Sequence, residues 1–502
     1  MKEIIDYQAY QTKMQQIADL KYASALLQWD QETYLPPKGN DFRGRQIATL
    51  TELSHDLFID EKTGNQLKEL LQNDKLTDAE KRNVSLSFED YQKAKKIPAA
   101  FVKQLSETVN KSFHAWIKAR KLNKFSIFLP ELEQVITLKR EEADLIGYVA
   151  HPYDALMNEF DKSMTVASND ALFEELKPSL RNLLDQIAVL PDPDNRFLRQ
   201  HFDKDTQWKY GIRLLKEMHF DFEAGRQDIS EHPFTTNFNS HDVRVTTRID
   251  ENDFGNMTWS CLHEGGHALY EQGLPSEQYG LPLGEYCSLS IHESQSRLWE
   301  NNVGRSLPFW IYHYPGLQQQ FPKQLGGTSV EQFYEGINKV SPSLIRTEAD
   351  ELTYHFHIMI RYELEKALIE GSLKAKEIPL AWEDLYQKYL GISVPDDIHG
   401  CLQDVHWSHG SFGYFATYST GSLYAAQFFE HISRQYPFLD QELKLGNSKT
   451  VHQWLQQHIY PFGRYYTAAE LCSRATGETV NSRYFINYAS RKFSDIYQKN
   501  IN

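Results

Sequence analysis

At 502 residues, with 41% hydrophobic, 24% charged and 13% aromatic residues, the chain holds enough apolar material for a sizeable core, which excludes wholesale disorder. Its formal net charge of −15, with no Lys/Arg-rich stripe to offset it, opposes binding to a phosphate backbone, so no nucleic-acid partner is expected. No segment has the unbroken apolar length needed to cross a bilayer, and the opening Met-Lys-Glu-Ile-Ile-Asp-Tyr has no secretory apolar core. These features lead to the expectation of a cytoplasmic protein with no membrane association. Cys261, Cys287, Cys401 and Cys472 are scattered without paired spacing and are expected to be reduced, buried thiols.

In chain order, helical periodicity dominates the first half. Ile47, Leu50, Leu53 and Leu57, and later Leu172, Leu176, Leu180, Leu183 and Leu184, recur three and four apart and are expected to be core faces. Leu35-Pro36-Pro37, Pro191-Asp192-Pro193-Asp194, Gly273-Leu274-Pro275 and Leu325-Gly326-Gly327-Thr328 punctuate the helical runs without forming a flexible linker. From Asp242 to Asp250 the period changes to two: Val243, Val245, Thr247 and Ile249 alternate with Asp242, Arg244, Thr246 and Arg248. A strand with one polar face is expected there, at the edge of a small sheet, where an extended peptide can add as a further strand. The fold class is therefore mainly α with a small β-sheet.

The next segment, from Thr258 to Glu271, contains His263-Glu264-x-x-His267 within a helical run. Histidines four apart share a helix face within reach of one metal ion, and the glutamate beside the first is placed to take the proton of an attacking water. Gly265 and Gly266 each cost roughly 1 kcal/mol against alanine in a helix interior, so close packing or substrate must favour them. A catalytic metal of this kind needs a third protein ligand, yet Tyr270 and Gly273 stand where the extended motif would place its glycine and third histidine. Glu293, in His292-Glu293-Ser294-Gln295 at the start of the next helical stretch, is preferred, with Glu285, His292 and Glu300 as competitors.

Together these residues bring out a resemblance to the carboxypeptidase Taq family of metallocarboxypeptidases. It is carried by His232-Pro233-Phe234, Asp242-x-Arg244-x-Thr246, His263-Glu264-x-x-His267, His292-Glu293-Ser294-Gln295, Ile345-Arg346-x-x-Ala349-Asp350 and Gly400-x-x-Gln403-Asp404-x-His406-Trp407. Trp29-Asp30 and His151-Pro152-Tyr153 also fit. Two places depart from the pattern, Gly265 and Ala416, and neither touches the chemistry. The resemblance implies one catalytic domain over 1–502, with an N-terminal helical part to about 190 and a metal-site part from about 230 to 420. It further implies a deep groove, an architecture related to neurolysin and angiotensin-converting enzyme, and a homodimer. It makes Glu293 the third ligand, with zinc or cobalt as the metal. The implied activity is stepwise removal of C-terminal residues from peptides with a free C-terminus, with broad preference and poor release of proline.

The remaining roles are assigned by chemistry. Glu264 is the general base, and His406, or a tyrosine near it such as Tyr414 or Tyr418, is a donor to the oxyanion. Arg346 is the preferred partner for a terminal carboxylate, with Arg244 second; pairing of Arg346 with Glu348 or Asp350, or of Arg244 with Asp242, is the structural alternative. His232, Asp242, Thr246, Asp350, Gln403 and Asp404 support the site, Asp404 by accepting the outer N–H of a ligand histidine or by capping a helix. His355 and His357, two apart, are ordinary core or groove histidines. Competing functions are a zinc oligopeptidase that cuts internal bonds and a catalytically silent peptide-binding protein.

Overall fold

Side-chain pattern decides which residues share a face, and tertiary packing decides which faces are covered. The computed structural model describes residues 7–497; the start of the opening segment, through Asp6, lies outside them. The chain forms two compact units, each assembled from three separated segments. The first takes in the chain up to Lys95, Asp194–Ile337 and Phe428–Thr479, and the second takes in Lys96–Pro193, Asn338–Gln427 and the chain from Val480.

In the first unit, helix α1 (Tyr7–Thr33) buries Tyr10, Met14, Ile17 and Trp29. Tyr10, Met14 and Ile17 join Leu67, Leu70 and Val84 in one apolar cluster. Helix α2 (Asn40–Ile59) folds back along α1, but Ser54 is its one buried residue. The core face expected on α2 is therefore corrected. Leu53 is 48% and Leu57 38% exposed, and Ile47 and Leu50 are only half-buried. A helix period places these side chains in a row without supplying a layer to cover them.

Three strands form one sheet in this unit: β1 (Gly225–Ile229), β2 (Thr235–Asn239) and β3 (Asp242–Thr247), in the order β1-β3-β2. β3 runs parallel to β1 and antiparallel to β2. Asn239 closes the tight connection to β3 by accepting from the His241 N–H through Oδ1 at 2.8 Å. The segment expected at the edge is thus the central strand, a second correction. Alternation reports the two faces of a strand and says nothing of its two hydrogen-bonding edges. Thr246, expected on the polar face, is buried, because its hydroxyl accepts from Ser230 Oγ (2.7 Å) and from Phe234 N–H (2.9 Å).

Helix α3 (Phe254–Gln272) starts at Asp253, whose carboxylate accepts from the Gly255 N–H, and packs on β3 and on helix α4 (Leu289–Arg297). Ser288 caps α4, which continues as a π-helical turn over Leu298–Val303. A hypothetical Cβ on Gly266 would lie 2.5 Å from the Gln295 carbonyl oxygen and 2.7 Å from Ser296 Cα. Close approach of the α4 backbone is therefore the reason for glycine there. At Gly265 the neighbours are the side-chain ends of Leu215 and Met218.

In the second unit the helix Val166–Ala188 is capped by Thr165 and buries Leu176, Leu180, Leu183 and Leu184, as the pattern indicates, whereas Leu172, expected on the same face, is only half-buried. Helix α5 (Tyr354–Glu370) carries His355 and His357, both buried, and ends at Gly371 in the left-handed region. Helix α6 (Phe415–Gln435) begins in the second unit and ends in the first. The described residues are mainly helical with one small sheet, as the sequence indicates. Cys261, Cys401 and Cys472 are free and buried, while Cys287 is half-buried. No helix among the described residues is long and apolar enough to cross a membrane.

Candidate metal centre

Two helices of the first unit build the centre. α3 presents His263 and His267 one turn apart, and α4 presents Glu293 to both. Glu293 Oε2 lies 3.7 Å from His263 Nε2 and 3.5 Å from His267 Nε2, and the three ligand atoms lie within 4.8 Å of one another. A tetrahedral site with ligand bonds of about 2.1 Å sets neighbouring donors roughly 3.4 Å apart, so this N,N,O tripod has the chemistry and spacing of a His₂Glu metal site. Among the described residues no other such group occurs. Glu285, one competitor, is held instead by Arg464 at 2.8 Å and Lys21 at 3.6 Å.

The electrostatics act differently on the three members of the tripod. Burial opposes ionisation of Glu293, but Arg297, whose Nε donates to Oε1 at 2.7 Å, and the two histidines hold its carboxyl well below the usual range. Burial, with His292 adding to it, pushes His267 down to about 3, leaving a neutral imidazole. At His263 the cost of burial is outweighed by Glu293 and Glu300, which raise its pKa. Glu300 Oε2 lies 2.9 Å from His263 Nδ1, so this carboxylate directs Nε2 toward the tripod. That is the role expected of Asp404, and it falls to Glu300, carried by the π-helical turn after α4. Asp404 instead lies in the second unit between Arg346 and Arg361.

Glu264 is buried beside the tripod, and β2 fixes it: the Thr235 hydroxyl donates to its Oε2 at 2.6 Å. Burial raises its pKa, opposed by His263 and by the Thr235 hydrogen bond. Two signature segments of the sequence prove to be one structural piece. The Thr246 hydroxyl receives the Phe234 N–H, and the His232 carbonyl accepts from Ser230, which locks the turn entering β2. The His232 side chain itself is exposed. Asp242 and Arg244 pair side chain to side chain at 2.9 and 3.0 Å, with the guanidinium 4.4 Å from the Trp29 ring centre. Arg244 therefore has the strand-holding partner considered for it. A cavity of about 350 Å³ runs beside β2, lined by Gln28, Trp29, Gln31, Glu32 and Phe234–Thr236.

The second unit gathers the other predicted residues. Arg346 Nε donates to Asp404 Oδ1 (2.9 Å), Arg361 Nε to Asp404 Oδ2 (2.6 Å), and Gln403 Oε1 accepts from Arg346 N (2.9 Å) and Arg361 Nη2 (2.7 Å). The partner of Arg346 is thus Asp404 and neither Glu348 nor Asp350. Asp350 caps the turn before α5, accepting from the N–H groups of Leu352 and Thr353. Burial raises Asp350, while Arg361 and Arg346 outweigh burial and hold Asp404 far below the carboxylate range. Two buried guanidiniums share this single carboxylate. His406 Nε2 lies 3.4 Å from the Tyr418 hydroxyl, and its ring packs 5.4 Å from Tyr414. Burial, then Arg346, push His406 down to about 3, so it is neutral.

Sequence reasoning did not single out Arg297, Thr235, Glu271 or Asn237. Arg297 had a legible signal, an arginine four residues after Glu293 on one helix. The others approach from a neighbouring strand or the far turn of α3, and no local spacing announces that.

The model of the carboxypeptidase Taq (M32) metallopeptidase family matches residues 9–493. Carboxypeptidase 1 of Bacillus subtilis is 39% identical over 490 residues, 96% of this chain and 97% of that protein. Thermostable carboxypeptidase 1 of Thermus thermophilus is 38% identical over 507 residues, 97% of this chain and 99% of that one. The crystal structure of an M32 carboxypeptidase from Deinococcus radiodurans R1 is similar with a TM-score of 0.96 at 38% identity, covering 98% of this chain and 99% of its own.

Proposed function

The chain belongs to the carboxypeptidase Taq (M32) metallopeptidase family, and from that premise we propose that it releases C-terminal residues from peptides one at a time, with broad preference and poor release of proline. The observation that carries this reading is the convergence of His263, His267 and Glu293 beside a buried Glu264. A divalent cation held by that tripod, zinc by its donor set and cobalt as an alternative, would supply the Lewis acidity that polarises the scissile carbonyl.

The chain's own residues do the rest. The Thr235 hydrogen bond occupies Glu264 Oε2, which leaves Oε1 to take the proton of the attacking water and pass it to the departing amine. Burial of Glu264 raises its pKa and so makes it a stronger base for the first transfer. Thr246 N–H donates to the Phe234 carbonyl at 2.9 Å. The alternation of an antiparallel ladder then turns the backbone groups of Thr235 and Asn237 away from β3, toward the side where an extended peptide adds as a strand. His406, Tyr414 and Tyr418 are the proposed donors to the oxyanion. Arg346 is the proposed partner of the terminal carboxylate, supported by the excess positive charge of two guanidiniums on one carboxylate. Partners in this reading are peptides with a free C-terminus and a second copy of the chain.

The test compares free-ended peptides with their C-terminally amidated twins, for the wild type and Arg346→Lys. An exopeptidase stalls on the amide, and loss of the planar guanidinium lowers kcat/KM on the free-ended peptide by ~100-fold while leaving residual amide turnover unchanged. Equal cleavage of both peptides would instead identify an oligopeptidase, and binding without cleavage a silent peptide-binding protein.

A further inference from the structure

The two ligand histidines are oriented by different means. His263 has the usual support, a carboxylate on the ring nitrogen that faces away from the tripod. His267 does not: its Nδ1 is buried and has no hydrogen-bond partner. Its ring lies instead on the ring of His292, with centroids 4.3 Å apart and planes 19° from parallel. His292 is in turn fixed from behind, since its Nε2 lies 2.8 Å from Glu271 Oε1, and the other oxygen of Glu271 accepts from the Asn237 amide on β2. Tyr286 packs against the same imidazole at 4.8 Å.

We propose that His292 is a positioning residue for the metal: its ring, held by Glu271 and Asn237, sets the plane of His267 in place of the hydrogen bond that His267 lacks. The inference rests on the tripod reading above. The torsion that turns an imidazole about its Cβ–Cγ bond has broad, roughly two-fold wells, so a ligand histidine without a second hydrogen bond needs a packed neighbour to aim its lone pair. An offset, nearly parallel ring supplies that constraint through shape and quadrupole. Glu271 closes the back of the stack, and Asn237 ties the stack to the strand whose Thr235 holds Glu264. One strand thus steadies both the base and a ligand.

The readouts are zinc affinity by chelator competition and the visible absorption bands of the cobalt-substituted protein. The wild type, His292→Ala, His292→Leu and His292→Phe are compared on the full chain. The Ala and Leu variants are expected to bind zinc ~10 to 100-fold more weakly, the range for losing support of a ligand, with altered cobalt bands. His292→Phe, which keeps a ring in the stack but loses the hydrogen bond to Glu271, is expected to fall between the wild type and the Leu variant. If His292→Ala fails to fold, the Leu and Phe pair decides the question, since both fill the space and only one stacks. Unchanged zinc affinity and cobalt bands in Ala or Leu would overturn the proposal, as would a Phe variant no better than Leu. A wild type that binds no zinc would bring down the tripod itself, a different result from a binding wild type indifferent to residue 292.

Discussion

Glu365 on α5 takes three donors, Tyr153 Oη at 2.5 Å, Trp407 Nε1 at 2.7 Å and the Gly413 N–H at 2.8 Å, and so pins both ends of the segment Trp407–Gly413 that follows His406. Burial pushes its carboxyl up from 4.5 to about 7 against those hydrogen bonds. Because the folded pKa is raised, the stabilising proton is fully present below about 4.5 and is lost as pH rises through 7. That loss is worth roughly 3 kcal/mol. Glu365→Gln, neutral at every pH, is expected to flatten that part of the profile. Urea midpoints between pH 5 and pH 8 should fall more for the wild type than for the variant, and parallel profiles would show that Glu365 stays ionised. Legibility in the sequence divides along the same physical line. His263, Glu264 and His267 were readable because one helix face sets their relation. Glu293 was preferred as the third ligand, but spacing alone did not exclude Glu285, Glu300 or His292, because only the approach of α4 to α3 sets which of these side chains meets the two histidines. Asp404 was misplaced because its partners, Arg346 and Arg361, lie 58 and 43 residues away in the chain.

At the scale of elements, contact between α3 and α4 is the condition for the tripod, and Gly266 permits it. Gly266→Ala drives a methyl into the backbone at Gln295–Ser296, which cannot swing aside as a side chain can. The expected cost is about 1 to 3 kcal/mol of stability, read as a lower thermal midpoint, together with weaker metal binding, because Glu293 moves with α4. A variant with wild-type midpoint and metal affinity would show that the two helices have slack. The double glycine was visible in the sequence as an unexplained cost, but its cause needed the neighbouring backbone. The same limit governs α2 and β3. The period of Ile47, Leu50, Leu53 and Leu57 is a true helix period, yet Leu53 and Leu57 remain exposed because no layer covers them. The alternation of Asp242–Thr247 marked a strand, while its central place depended on β1 and β2, whose short polar runs such as Thr235-Thr236-Asn237 give little signal.

At the scale of the molecule, each unit is built from three stretches of chain, and membership is decided by non-local contacts that composition and local pattern do not encode. What the whole chain did carry was a set of separated motifs, and these gather into two side-chain clusters: the tripod and Glu264 in the first unit, the Arg346–Asp404–Arg361 network with His406 in the second. The central claim is that Glu264 is the base of a metal-dependent carboxypeptidase. It is tested most directly by mass analysis of products from one unmodified peptide, with the wild type and Glu264→Gln both loaded with zinc and their metal content measured. The account predicts a ladder losing one C-terminal residue at a time in the wild type, abolished in the variant while its zinc content persists. Internal fragments from the wild type, or an undiminished ladder from a zinc-loaded Glu264→Gln, would contradict it.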